Sequence, residues 1–135
     1  MKAMGIDFGM ARIGIALSDE TKFLATPFVT YKRKGINQDI DYILDLIKTK
    51  NVDEIVCGLP MNMQGEEQTI AAKTREFMSF LQEKTNVKIE FIDERLSSVM
   101  AEELLKETER DWKKRKEKLD AVAASILLQD YLDAR

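Results

Sequence analysis

A short, uninterrupted apolar run at residues 55–59 (IVCGL) is the feature that most limits how this chain can fold. Such a run is typical of a strand buried on both faces, which requires helices on both sides of a sheet. A second strand pattern follows at residues 87–92, and parallel strands of this kind are joined by helical crossovers. Apolar residues at helical spacing stand before and after the run: Ile40, Ile43, Leu44 and Ile47, then Ile70, Thr74, Phe77, Met78 and Leu81.

The first part of the chain has the pattern of consecutive strands. Residues 3–8 and 12–18 are separated by a tight turn, and a weaker strand pattern follows at residues 27–31. Asn37 is expected to cap the first helix. The chain has 135 residues and no linker or repeat, so the sequence predicts one α/β domain over residues 1–135, with a central mixed five-stranded sheet flanked by helices. The last helix is marked by Leu119, Val122, Ala123, Ile126 and Leu127.

Residue types that are missing exclude several kinds of chemistry. The chain has no His and a single Cys, Cys57, so a Ser-His-Asp triad, an internal disulfide and a Cys/His zinc site are all excluded. Catalysis would have to depend on carboxylates, Lys or a hard metal ion. The sequence has no run of about 18 apolar residues, so we expect no membrane span. The expected location is a reduced, cytoplasmic compartment.

Three carboxylates interrupt the patterns around them. Asp7 lies within an apolar strand pattern, Glu94 follows another, and Asp120 borders the apolar stripe of the last helix. Taken singly, each has an ordinary explanation: a turn, an ion pair at a strand end, or a favourable charge near the start of a helix. Taken together, they are the oxygen ligands that Mg²⁺ or Mn²⁺ prefers.

Two basic clusters, residues 31–34 (YKRK) and 112–116 (WKKRK), stand out against a net charge of −3. Each begins with an aromatic residue. One interpretation is a pair of solvated loops. The other is phosphate contact with base stacking, which gains weight only if both clusters flank one site. In the second cluster, Lys113, Lys114 and Arg115 are the candidate substrate contacts.

Ordered motifs along nearly the whole chain carry a family resemblance. They are residues 5–9 (GIDFG), 12–19 (RIGIALSD), 58–65 (GLPMNMQG), 93–98 (DERLSS) and 120–128 (DAVAASILL). In this order they resemble the YqgF family, also called RuvX, which comprises pre-16S rRNA nucleases and proteins similar to Holliday-junction resolvases. The resemblance implies a ribonuclease-H-like fold.

The resemblance also implies roles for individual residues. Asp7, Glu94 and Asp120 would be the catalytic, metal-binding acids, with Asp93 as a fourth candidate. Substrate contacts would come from Arg12, Asn62 and Arg95. The chain departs from the family at residues 10–11, where Met-Ala replaces a small polar and a basic residue, and at Gln64, where Asp is common.

The function implied is a metal-dependent nuclease that processes the 5′ end of pre-16S rRNA. Two alternatives stay open. A Holliday-junction-type DNA endonuclease would use the same acids on branched DNA instead of structured RNA. A non-catalytic RNA-binding factor for ribosome assembly would keep the fold without the chemistry. The sequence leaves the oligomeric state open between monomer and homodimer.

Overall fold

The computed structural model describes residues 1–61, 69–94 and 97–135. Within these ranges the secondary structure follows the predicted order of three strands, then alternating helices and strands, then two helices. The strands are β1 (Lys2–Phe8), β2 (Arg12–Ser18), β3 (Ala25–Lys32), β4 (Val52–Leu59) and β5 (Lys88–Asp93). The helices are α1 (Ile36–Thr49), α2 (Thr69–Gln82), α3 (Ser97–Thr108) and α4 (Trp112–Asp133).

The five strands form one mixed sheet in the order β3-β2-β1-β4-β5. β1, β2 and β3 pair antiparallel, while β4 runs parallel to both β1 and β5. This arrangement confirms the α/β class and the mixed five-stranded sheet. β1 therefore lies at the centre, with Asp7 opposite Gly14 of β2.

Helices cover both faces of the sheet. Side chains alternate between the faces of a strand, so Ile6 and Phe8 of β1 point toward the core formed with α1 and α2. Ala3 points the other way, toward α4, and α3 packs on the outer side of α4 through Ala101 and Leu105. Asp7 shares the parity of Ala3 and so lies on the α4 face.

Glycines let α4 lie directly on the sheet. A Cβ atom on Gly14 would collide with the carbonyl oxygen of Asp120, and one on Gly5 would come within 2.8 Å of the carbonyl oxygen of Ala124. The helix backbone thus occupies the space that side chains would fill at these two positions. This close approach fixes the height of Asp120 above β1 and β2.

Two sequence expectations about helix starts are wrong. α1 begins at Ile36, one residue before the expected cap Asn37, and its cap residue is Gly35. The N–H groups of Lys34 and Gly35 donate instead to the carboxylate of Asp39, at 2.9 and 3.4 Å. Asp39 thus fixes the chain entering the helix, and no side chain caps the first turn of α1.

The second basic cluster is helical and does not form a loop. α4 begins at Trp112, and the side chain of Asp111 accepts hydrogen bonds from the N–H groups of Lys113 and Lys114. Long unbranched Lys, Arg and Glu side chains favour a helix once such a cap is present. Asp120 consequently lies more than two turns into α4. Among the described residues, no helix is long and apolar enough to cross a membrane.

Candidate active site

Asp7 and Glu94 meet on the α4 face of the sheet. Asp7 is near the end of the central strand β1, and Glu94 follows β5, where its N–H donates to the carbonyl of Leu59 at 3.2 Å. A Cβ atom on Gly58 of β4 would collide with the carboxyl group of Glu94. The missing side chain at Gly58 thus provides the space through which Glu94 reaches toward Asp7. The two carboxyl groups are hydrogen-bonded to each other.

Burial changes how this carboxyl pair holds protons. Burial, together with the charge of Asp7 and the hydrogen bond to it, raises the pKa of Glu94 to about 9. Burial also raises the pKa of Asp7, to about 6; the hydrogen bond from Glu94 opposes this rise, and the charge of Asp120 adds to it. At neutral pH the pair therefore retains one proton between its two carboxyl groups.

Asp120 stands close to this pair but is held by Arg12. Its Oδ2 accepts from Nε of Arg12 at 2.7 Å, and its side chain is 20% exposed. Its negative charge still reaches Asp7, whose pKa it raises. Within the described ranges, no three acidic or Cys side chains are grouped so as to hold a metal ion as they stand. The structure therefore brings Asp7 and Glu94 together, with Asp120 nearby and turned toward Arg12.

Both basic clusters reach one cleft beside Asp120. Arg12 of β2 and Lys32 of β3 line it together with Lys113, Lys116 and Glu117 of α4. The cleft has a volume of about 270 Å³, and we call it the basic cleft. Lys32 comes from the first cluster, while Lys113 and Lys116 come from the second. The condition attached to the phosphate-contact interpretation, that both clusters flank one site, is met.

The remaining candidate substrate residues have other positions. Lys114 contributes its backbone N–H to the cap at Asp111. The guanidinium of Arg115 donates to the carbonyl of Glu109 at 3.2 Å. Asn62 and Arg95 lie outside the described residues.

Arg33, from the first cluster, is a structural residue. It forms an ion pair with the buried Asp39 at 2.8 Å and lies over the ring of Phe8. Its guanidinium also donates to the carbonyls of Gly9 and Met10, in the turn between β1 and β2. The sequence alone did not distinguish the structural, partly buried Arg33 from its exposed neighbour Lys32, because both lie in one run of positive charge.

Cys57, the lone thiol, takes no part in this site's chemistry as an ionised group. It is fully buried, and its burial, followed by the charges of Glu94 and Asp7, raises the pKa of the thiol well above its usual value. A thiol held neutral is a weak nucleophile. The candidate chemistry therefore belongs to the carboxyl groups, as the absence of His indicated.

A family model described as RuvX, Holliday junction resolvase, matches residues 1–134. The chain belongs to the RuvX family. Its relatives include proteins named "Putative pre-16S rRNA nuclease". The protein of Syntrophomonas wolfei is 44% identical over 133 residues, covering 98% of this chain and 94% of its own length. That of Halothermothrix orenii is also 44% identical over 133 residues, covering 98% and 95%.

Solved structures confirm the ribonuclease-H-like fold of this RuvX chain. The structure of Thermus thermophilus RuvC in complex with a Holliday junction substrate superposes with a TM-score of 0.64. It covers all of this chain and 95% of RuvC, at 13% identity. The fowlpox virus Holliday junction resolvase gives a TM-score of 0.57 at 15% identity, with full coverage of both chains. At such identities the likeness concerns the fold.

Proposed function

We propose that this RuvX protein is a phosphodiester hydrolase that processes the 5′ end of pre-16S rRNA. The observation that carries the proposal is the partly buried Asp7–Glu94 carboxyl pair, with Asp120 beside it and a basic cleft adjoining Asp120. A metal-dependent nuclease needs acidic side chains that bind a metal ion and, next to them, basic side chains that bind the phosphates of the substrate. We propose RNA as the substrate because the relatives are named as rRNA nucleases.

The residues of the carboxyl pair fit a divalent cation. Two carboxyl groups that share a proton in a buried position offer oxygen ligands to an ion that replaces the proton. Asp7, Glu94 and Asp120 would hold Mg²⁺ or Mn²⁺, with Asp120 released from Arg12. When bound, such an ion activates water and stabilises the leaving oxygen in phosphodiester hydrolysis.

The protein's own groups have separate tasks in this proposal. The four cations of the basic cleft bind the phosphates of the strand and hold it beside Asp120. Glu94 must give up its proton before it can act as a ligand, so binding of the cation is expected to tighten as pH rises toward 9. Gly58 keeps open the space in which the carboxyl of Glu94 lies.

Residues 1–135 would act as a single nuclease domain in the bacterial cytoplasm, where pre-rRNA is made. The comparison with resolvase structures concerns the fold, so a preference for branched DNA is an outcome to be tested. A monomer and a homodimer are both compatible with a site whose acids all come from one chain.

The test is cleavage of a precursor RNA in Mg²⁺ or Mn²⁺ by the wild type and by Asp7→Asn. Asp41→Asn, at an exposed position on α1, is the matched control. We expect cleavage by the wild type and the control and its loss in Asp7→Asn. Equal cleavage by Asp7→Asn would refute the role of Asp7. Preferential cleavage of a four-way DNA junction would indicate the DNA endonuclease alternative. Tight RNA binding without cleavage under any metal condition would indicate the non-catalytic assembly-factor alternative.

A further inference from the structure

A second cavity adjoins the basic cleft at the start of α4. It has a volume of about 300 Å³ and lies between α3 and α4. We call it the Trp112 cavity; its lining includes Trp112, Leu119, Arg115 and Lys116. Lys116 also lines the basic cleft. The two cavities are therefore neighbours that share one cation.

Trp112 is presented to solvent in a way that its counterpart Tyr31 is not. Trp112 is 63% exposed, with Nζ of Lys116 at 5.5 Å from the centroid of its ring. Tyr31, the aromatic residue of the first cluster, is stacked on Tyr42 with 4.2 Å between ring centroids. Trp112 therefore presents the more exposed ring of these two aromatics. The exposed indole lies at the edge of a cavity, where a planar ligand can reach its ring.

The charges around both cavities favour an anionic ligand. Four cations of the basic cleft face one acid, Glu117. In the Trp112 cavity, Lys106, Arg115 and Lys116 face Glu102. A nucleic-acid strand combines phosphates, which such cations bind, with bases, which stack on aromatic rings.

The combination of a basic cleft with an exposed indole distinguishes unpaired from paired nucleic-acid strands. The phosphates of a duplex can reach a basic cleft, but its bases are stacked inside the helix and cannot lie on an exposed indole. An unpaired strand can use both surfaces at once, because its bases are free to turn outward. Stacking on Trp112 would therefore add affinity only for unpaired nucleic acid.

We propose that the basic cleft and the Trp112 cavity form one binding site for an unpaired strand, with phosphates in the cleft and a base stacked on Trp112. The site adjoins the candidate acids, because Arg12 belongs to the cleft and forms an ion pair with Asp120. This inference rests on the proposed function and narrows its substrate to RNA that is single-stranded near the point of cleavage.

The chain offers a direct readout, because Trp112 is its only Trp. In EDTA, to prevent cleavage, the protein is titrated with a single-stranded oligoribonucleotide, its blunt duplex, and the same strand carrying abasic positions. We expect the single strand to change the fluorescence of Trp112, the duplex to leave it nearly unchanged, and the abasic strand to bind more weakly with a reduced change. An equal response to the single strand and the duplex would refute the site.

A second test measures the affinities of protein variants for the same oligonucleotides by fluorescence anisotropy. Trp112→Leu is expected to weaken single-strand binding roughly 5- to 150-fold, as for loss of one stacked base, while leaving duplex binding unchanged. Phe23→Leu, which removes another exposed aromatic ring, is the control and is expected to have no effect. Lys116→Gln should reduce the slope of the logarithm of the binding constant against the logarithm of salt concentration by about 0.7, as for loss of one phosphate contact of a single strand. Lys48→Gln, at an exposed position on α1, is its control.

The outcomes separate this inference from the proposed function. If the wild type and Trp112→Leu bind and cleave single-stranded precursor equally well, the binding site is refuted and the nuclease stands. If the fluorescence and affinity results are as expected but no metal condition gives cleavage, the nuclease is refuted and the binding site stands. Circular dichroism on each variant verifies that loss of binding does not reflect loss of the fold.

Discussion

Nε of Arg12 lies 2.7 Å from Oδ2 of Asp120, so one residue of the basic cleft holds one of the three candidate metal-binding acids. Arg12 is 45% exposed at its side chain and Asp120 20%. A phosphate bound to this guanidinium would compete with Asp120 for its positive charge. Occupation of the cleft by a phosphate and release of Asp120 toward Asp7 are therefore expected to favour each other.

Arg12→Gln tests this relationship through the affinity for metal. Removing the guanidinium frees the carboxylate of Asp120, so we expect Mn²⁺ to bind on the order of tenfold more tightly, a change of about 1.4 kcal/mol. Isothermal titration calorimetry with Mn²⁺ alone measures the effect. Lys113→Gln removes a cation of the same cleft that forms no ion pair with Asp120 and should change the affinity less. A weaker affinity in Arg12→Gln than in wild type would contradict the expectation.

Glu94→Gln should change how stability depends on pH. The pKa of Glu94 is raised on folding, to about 9, so its contribution to stability is fully present below its unfolded value near 4.5 and is lost as pH rises through 9. Gln carries no ionisable group and can still donate to Asp7. We expect Glu94→Gln to exceed the wild type in Tm by a margin that grows from pH 5 to pH 9, measured by thermal melts in EDTA. Asp41→Asn, on exposed α1 surface, should show a constant difference from wild type.

Gly58→Ala should displace the carboxyl group of Glu94. The added Cβ would occupy the position of that carboxyl, and such overpacking costs about 1–3 kcal/mol. Glu94→Ala in the same chain removes the obstacle, so the double variant should regain much of the stability lost. A double-mutant cycle from urea unfolding gives the coupling between the two positions. Additive effects would show that the two residues do not compete for space.

Asp39→Ala should be among the more destabilising single changes. Asp39 is completely buried, and its partner Arg33 is 14% exposed at the side chain. Burial acts to raise the pKa of Asp39, but the N–H of Lys34 and the guanidinium of Arg33 outweigh it and hold the pKa below its usual value. Removing one partner of a buried pair costs about 3–5 kcal/mol. Urea unfolding of Asp39→Ala measures this loss, and Asp41→Asn on the same helix should leave stability within about 0.5 kcal/mol of wild type.

Much of the fold followed from apolar patterning. The continuous run at residues 55–59 became β4, an interior strand between β1 and β5, and its parallel pairing with β5 was predicted from the helical pattern between them. The meeting of Asp7 and Glu94 depends on the alternation of side chains along strands, which the sequence also contains. Their shared proton depends on burial by the packed chain, which the sequence does not show.

Other parts of the site depended on contacts between distant segments. Arg12 and Asp120 are 108 positions apart, and their pairing is decided by how closely α4 lies on Gly14. The run at residues 31–34 gave no sign that Lys32 would enter the cleft while Arg33 would turn toward Asp39. A run of charged residues has no alternation that shows which side chain faces which way. The different directions of Lys32 and Arg33 result from where β3 ends and from the short connection to α1.

α4 is one continuous helix, and it carries both Trp112 and Asp120. Eight positions separate them, about 12 Å along the axis at a rise of 1.5 Å per residue. The helix fixes the distance between the indole and the nearest candidate acid, since this separation cannot change without bending α4. Where a strand is cut relative to the base on Trp112 would then be set by length along the helix and not by the identity of the bases.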